Sequence, residues 1–131
     1  MKRLIAVAGM VVLAATGSAL ADGDAEKGKK VFKKCKACHQ VGEKAKNKVG
    51  PILNDIVGRE IATVEGFKYS KAFKAKKEEG GFVWDDANLD GYLTKPKKFI
   101  PKNKMAFAGL KKEKDRVNVI AYLKTFSKPA E

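Results

Sequence analysis

The chain has 131 residues and carries 28 Lys and Arg against 15 Asp and Glu, a formal net charge of +13 with its single His neutral. That length holds one small domain. A cationic surplus of this size predicts an anionic partner.

The chain opens with Lys2 and Arg3, continues through an uncharged run from Leu4 to Ala15, and reaches a small-residue Ala19-Leu20-Ala21. This is the charged start, apolar middle and cleavage site of a secretory signal peptide. The apolar run of about 12 residues is short of the ~20 that a membrane-spanning helix needs. Cleavage after Ala21 is expected, leaving a single mature domain over 22–131 with a formal charge of +11, because the leader holds two of the basic residues and no acidic one. An exported protein does not normally meet DNA or RNA. No RNP-like aromatic motif and no helix-turn-helix signal points to them either.

In the mature chain, Ala25, Gly28, Val31, Phe32 and Cys35 recur at steps of three and four, with Asp24 as N-cap and Glu26 in the first turn. The spacing predicts an amphipathic helix over about 24–35. Short helical pieces are expected at about 51–57 and 70–78, and the "EEGGF" at 78–82 reads as a break. Asp85 and Asp86 follow Trp84 and open a helix over about 86–95, with Leu89, Tyr92 and Leu93 on one face and Pro96 as its stop. Val119, Tyr122, Leu123 and Phe126 mark a last helix over about 112–126. No segment alternates as a strand does, so the fold class is all-α. Residues 39–50 and 97–111 read as long lysine-rich loops, of a length that is unusual in a small domain unless the loops wrap something.

Between the first helix and its loop lies Cys35-Lys36-Ala37-Cys38-His39, which holds both cysteines and the only histidine of the chain. Four uses are open to such a pair. Zinc needs four ligands, and two thiols with one adjacent imidazole fall short. A thioredoxin-like dithiol follows a strand in an α/β setting, whereas this pair ends a helix. A plain structural disulfide is the third use. The fourth is covalent haem attachment, in which both thiols add to the haem vinyl groups and the adjacent His coordinates iron. The export signal favours this fourth use, because the attachment takes place outside the bacterial cytoplasm.

On that reading His39 is the fifth iron ligand. No second histidine exists, and Met105 is the one methionine left once Met1 and Met10 depart with the leader. It lies in "FIPKNKMAFAGLKK", away from any helical core face, and is the candidate sixth ligand. Lysine ligation or an open sixth position are the alternatives. An open position would make the protein a haem peroxidase or ligand-binding protein.

With these residues in place, the chain resembles a class I cytochrome c, and most of all the bacterial soluble cytochrome c2 branch. The resemblance runs over essentially the whole mature chain. It rests on Gly28 and Phe32, CKACH, "VGPILNDIVGR" at 49–59, "GFKYS" at 66–70, Trp84, "GYLTKPKKFIPKNKMAFAGLKK" at 91–112 and "VIAYLK" at 119–124. It implies an all-α fold in which N- and C-terminal helices cross and loops wrap one covalently bound haem c. It also implies roles. Cys35 and Cys38 tether the haem, and His39 and Met105 ligate iron. The Pro51 carbonyl orients the imidazole. Arg59, Tyr69 and Trp84 hydrogen-bond the haem propionates, and Tyr92 touches the Met105 sulfur. Leu53, Leu93 and Phe107 seal the pocket, and Gly28 lets the first helix cross the last near Phe32 and Tyr122.

The implied function is that of a monomeric periplasmic electron carrier of high potential, not an enzyme. Lys34, Lys48, Lys97, Lys104, Lys111 and Lys112 match the lysines that dock the family onto acidic faces of membrane redox complexes. The implied donor is a cytochrome bc1-type quinol oxidoreductase, and the acceptor is a photosynthetic reaction centre or a terminal oxidase. Three features depart from the family pattern. The chain is longer between Tyr69 and Trp84 than the mitochondrial form, Phe73 stands where many relatives have an asparagine, and Asn103 replaces a hydroxyl residue near Met105.

Overall fold

A computed structural model describes residues 23–127; the expected leader, 1–21, lies outside the described residues. Five helices follow one another: α1 (Ala25–Val31), α2 (Lys71–Glu79), α3 (Asp86–Thr94), α4 (Pro96–Phe99) and α5 (Glu113–Lys124). A single 3₁₀ turn, Phe32–Lys34, carries α1 towards Cys35. Among the described residues no helix is long and apolar enough to cross a membrane.

Local chemistry starts three of these helices, α1 and α3 at the acidic residues expected. Asp24 caps α1, accepting from the backbone N–H groups of Glu26 at 2.9 Å and Lys27 at 3.1 Å. The Ser70 hydroxyl caps α2 and the Asp85 carboxylate caps α3, each three residues ahead of the N–H it receives. Gly80, at φ +84°, ends α2 in a conformation that favours glycine.

The first and last helices cross with their backbones in close contact. A Cβ on Gly28 would overlap the Asn118 carbonyl and come within 2.8 Å of the Tyr122 Cβ, so only glycine lets α1 and α5 approach this closely. Asn118, buried on α5, accepts the Asp24 N–H at 2.8 Å and closes the crossing from the side. The Phe32 and Tyr122 rings meet at 5.4 Å, at the crossing that the resemblance implied. Two ion pairs join α3 to α5, Asp90 with Arg116 at 2.6 Å and Asp86 with Lys124 at 2.8 Å.

Two expectations are corrected. Residues 51–57 form turns, not a helix, because their backbone is engaged by distant segments: Leu53 N–H donates to the Gln40 carbonyl and Asp55 N–H to that of Phe126. The stretch expected as loop from residue 97 begins inside α4, since Pro96 both stops α3 and occupies the first turn of a new helix. An isolated antiparallel bridge pairs Glu60 with Val83.

The core is hollow. Of the eleven buried hydrophobic residues, seven line one cavity: Phe32, Ile56, Trp84, Leu89, Tyr92, Val119 and Leu123.

Candidate functional site

The cavity measures about 510 Å³, within the ~300–1,000 Å³ of small-molecule and cofactor sites. Cys35, Cys38, His39, Arg59, Tyr69, Trp84, Tyr92 and Met105 all line it, so every proposed tether, ligand and propionate partner comes together from six separate stretches of chain.

CKACH leaves the 3₁₀ turn as one further turn, in which the Cys38 and His39 N–H groups donate to the Cys35 carbonyl at 3.1 and 2.9 Å. Both cysteines are half-buried. Burial, reinforced by Cys38, pushes the Cys35 thiol up to about 11, unlike the depressed values of reactive redox dithiols. No strand leads to the pair, and among the described residues no group of three or more His, Cys, Asp and Glu could hold a metal. The dithiol and zinc readings of CKACH therefore lack their structural setting.

His39 Nδ1 lies 2.7 Å from the Pro51 carbonyl oxygen. A carbonyl only accepts, so Nδ1 bears the proton and Nε2 presents its lone pair. Burial lowers the His39 pKa, partly opposed by that hydrogen bond, and favours the neutral imidazole that a metal requires. Gly50 supports the ring from behind: a Cβ there would collide with it, approaching Nδ1 to 2.8 Å.

Met105 presents a thioether to the same cavity. The Tyr92 hydroxyl donates to its sulfur at 3.6 Å. Burial raises the Tyr92 pKa well above the ordinary phenol value, so this donor keeps its proton. Leu53, Leu93 and Phe107 stand in the wall nearby.

Arg59 and Trp84 are brought together by a short backbone tie. Gly58 N–H donates to the Trp84 carbonyl at 2.8 Å, and Trp84 N–H returns to that of Arg59 at 2.9 Å. The Arg59 guanidinium spends Nη1 on the Asn54 carbonyl at 2.8 Å, while its Nε is buried with no partner among the described residues. A buried orphan donor on a cation is costly, and an anionic group in the cavity would satisfy it. Tyr69 accepts from Val64 N–H at 2.9 Å, which leaves its own O–H to donate. Phe73 fills the space between, stacked on Tyr69 and in ring contact with Trp84 and Tyr92. Apolar walls, two thiols, an imidazole, a thioether and an unsatisfied guanidinium N–H together fit a haem with its propionates.

All six candidate docking lysines are exposed. Lys34 and Lys104 stand at the cavity itself. Lys97 turns its ammonium onto the Asn103 carbonyl oxygen. Sequence reasoning missed Val49, which is 77% exposed at the cavity lip, and Phe67, packed edge-on against Tyr69 at 4.8 Å. Neither lies on a periodic face that could have marked it.

A covalent haem pocket between crossed terminal helices defines a c-type cytochrome. A family model described as cytochrome c matches residues 25–127. Cytochrome c2 from Afifella marina is 54% identical over 99 residues, 76% of this chain and 79% of that protein. Cytochrome c-554 from Methylosinus trichosporium is 49% identical over 124 residues, 94% of this chain and 91% of that one. The solved structure of cytochrome c2 from Rhodospirillum centenum superposes with a TM-score of 0.76 at 42% identity, covering 81% of this chain and all of the other. The chain belongs to the cytochrome c family, carries one covalently bound haem c, and is a cytochrome c2-like electron carrier rather than an enzyme.

Proposed function

We propose that this protein is a periplasmic electron shuttle in which Cys35 and Cys38 tether the haem and His39 and Met105 ligate its iron. It would be loaded by a cytochrome bc1-type quinol oxidoreductase and unloaded by a photosynthetic reaction centre or a terminal oxidase. The observation that carries this reading is the single cavity that collects both thiols, the Nε2 lone pair and the thioether beside an unpartnered Arg59 Nε.

The bound group supplies a one-electron iron couple. Around it, the Pro51 carbonyl holds His39 Nδ1–H and so fixes which ring nitrogen faces the metal. The Tyr92 O–H draws density from the Met105 sulfur and weakens it as a donor to the more oxidised metal. Leu53, Leu93 and Phe107 exclude water, and a dry pocket disfavours the added positive charge of the ferric state. Both effects favour a high potential. Arg59 and Tyr69 offer donors to the propionates.

Docking follows from charge. Lys34, Lys48, Lys97, Lys104, Lys111 and Lys112 are exposed cations on segments flanking the candidate ligands, in a mature chain of formal charge +11. Partners that exchange quickly need a small interface, under ~1,200 Å², steered by complementary charge.

Ligation is tested by the near-infrared sulfur-to-iron charge-transfer band of the ferric protein. It should be present and should vanish in Met105→Leu; a high-spin ferric spectrum in the unaltered protein would instead mark an open sixth position. Stopped-flow rates with reaction centres and oxidases, run side by side, should fall as salt rises. Rates indifferent to salt would sink the lysine assignment. A mature protein beginning at Asp22 is expected from N-terminal sequencing of the periplasmic fraction.

A further inference from the structure

The segment that delivers Met105 is a tight turn with an unusual centre. Asn103 N–H donates to the Ile100 carbonyl across Pro101 and Lys102, and Asn103 itself is only 4% exposed. Its side-chain amide is fully used. Nδ2 donates to the Pro96 and Ile100 carbonyls, each at 2.8 Å, and Oδ1 accepts the Met105 N–H at 2.8 Å. The Lys97 ammonium covers this knot from outside, donating to the Asn103 carbonyl oxygen with Oδ1 3.5 Å away. One amide thus spans α4 and the backbone of Met105.

We propose that Asn103 is the positioning residue for Met105, holding the thioether in place by tying the Met105 backbone to α4. The proposal rests on Met105 being an iron ligand. A carboxamide suits the position because it offers two donors and an acceptor on one short stem. A serine or threonine hydroxyl has a single donor, and an aspartate has none to give the Pro96 and Ile100 carbonyls. Met105 has one other polar hold, the Tyr92 hydroxyl on its sulfur. Cutting the amide therefore frees the segment without touching the cavity wall.

An external ligand can reach the iron only in the fraction of molecules in which Met105 has left, so its apparent affinity reads that fraction directly. The experiment is an optical titration of the ferric holoprotein with imidazole. Asn103→Ala should bind imidazole at least tenfold more tightly than the unaltered protein, equivalent to about 1.4 kcal/mol. Asn103→Asp, nearly isosteric, keeps the acceptor for Met105 N–H but loses both donors; it should bind at least threefold more tightly and serves if the alanine variant loads no haem. Ile120→Val thins the core away from the cavity and lowers global stability, and should leave the imidazole affinity unchanged. Met105→Leu should bind more tightly than either Asn103 variant.

Unchanged affinity in the Asn103 variants, with tighter binding in Met105→Leu, would overturn the positioning role alone. An equal rise in Ile120→Val would overturn it too, by showing general loosening. If Met105→Leu binds no more tightly than the unaltered protein, the ligand assignment falls and the positioning role with it.

Discussion

Where α1 meets α5, glycine backbone lies on the Asn118 carbonyl and buried side chains fill the remaining space; the chain makes this contact with its own atoms. The segments that enclose the cavity are held differently. Residues 39–69 contain no helix, their N–H groups reach to distant carbonyls, and their apolar side chains line a void of about 510 Å³. One region is close-packed by protein, and the other is a wall that needs something behind it. The stability of the two should therefore respond to different perturbations.

The harshest way to separate them is to remove what fills the void. His39→Ala, or replacement of both Cys35 and Cys38, should abolish stable holoprotein. Circular dichroism of the resulting chain should show most of the helix lost, because α1 has 7 residues and α5 has 12, too few to persist without tertiary support. Recovery of a compact, fully helical haem-free chain would erase the distinction between the regions.

Next in size is an attack on the close-packed region with the cavity left intact. Gly28→Val drives methyl groups into the α5 backbone and should cost about 3 kcal/mol, read as a lower guanidinium midpoint. A smaller loss, about 2 kcal/mol, is expected for Arg59→Leu, which strips the Asn54 carbonyl of its buried donor. Midpoints within a few tenths of a kcal/mol of the unaltered protein would contradict either account.

The smallest effect is a gain. Lys102 sits at φ +69° as the second central residue of the Ile100–Asn103 turn, where glycine is the favoured occupant. Lys102→Gly should relieve ~1–2 kcal/mol of left-handed strain against a glycine entropy cost of ~0.5–1 kcal/mol. A net rise of about 0.5–1 kcal/mol in thermal or denaturant unfolding would follow, with Met105 still in place.

The same contrast governs what could be read before the structure. α1, α3 and α5 were legible because each buries a periodic face, and α1 and α3 also begin at a recognisable cap, Asp24 and Asp85. CKACH drew notice because its chemistry is local, and Met105 because no other soft donor survived elimination; the structure sets both on one cavity. Residues 51–57 were misread as helical, since nothing local reveals that Leu53 N–H goes to the Gln40 carbonyl or that Asp55 N–H is claimed by Phe126. α4 stayed hidden because Pro96 was read as a stop when it was also a start. The knot around Asn103 and the orphan Nε of Arg59 were invisible for the same reason: both depend on atoms that meet only after the chain has closed.

The hydrogen bond from Asp24 to Asn118 joins residues 94 apart in sequence. On a ribosome adding ~5–20 residues per second, Asp24 is made roughly 5–20 s before its partner. Through that interval α1 has nothing to cross, and contacts of such long range close late in folding. Cys35 and Cys38, ahead of α5 in the chain, therefore stay on an open chain until α5 has been made. The last helix in the chain is the one that closes the cavity, with Val119 and Leu123 in its wall.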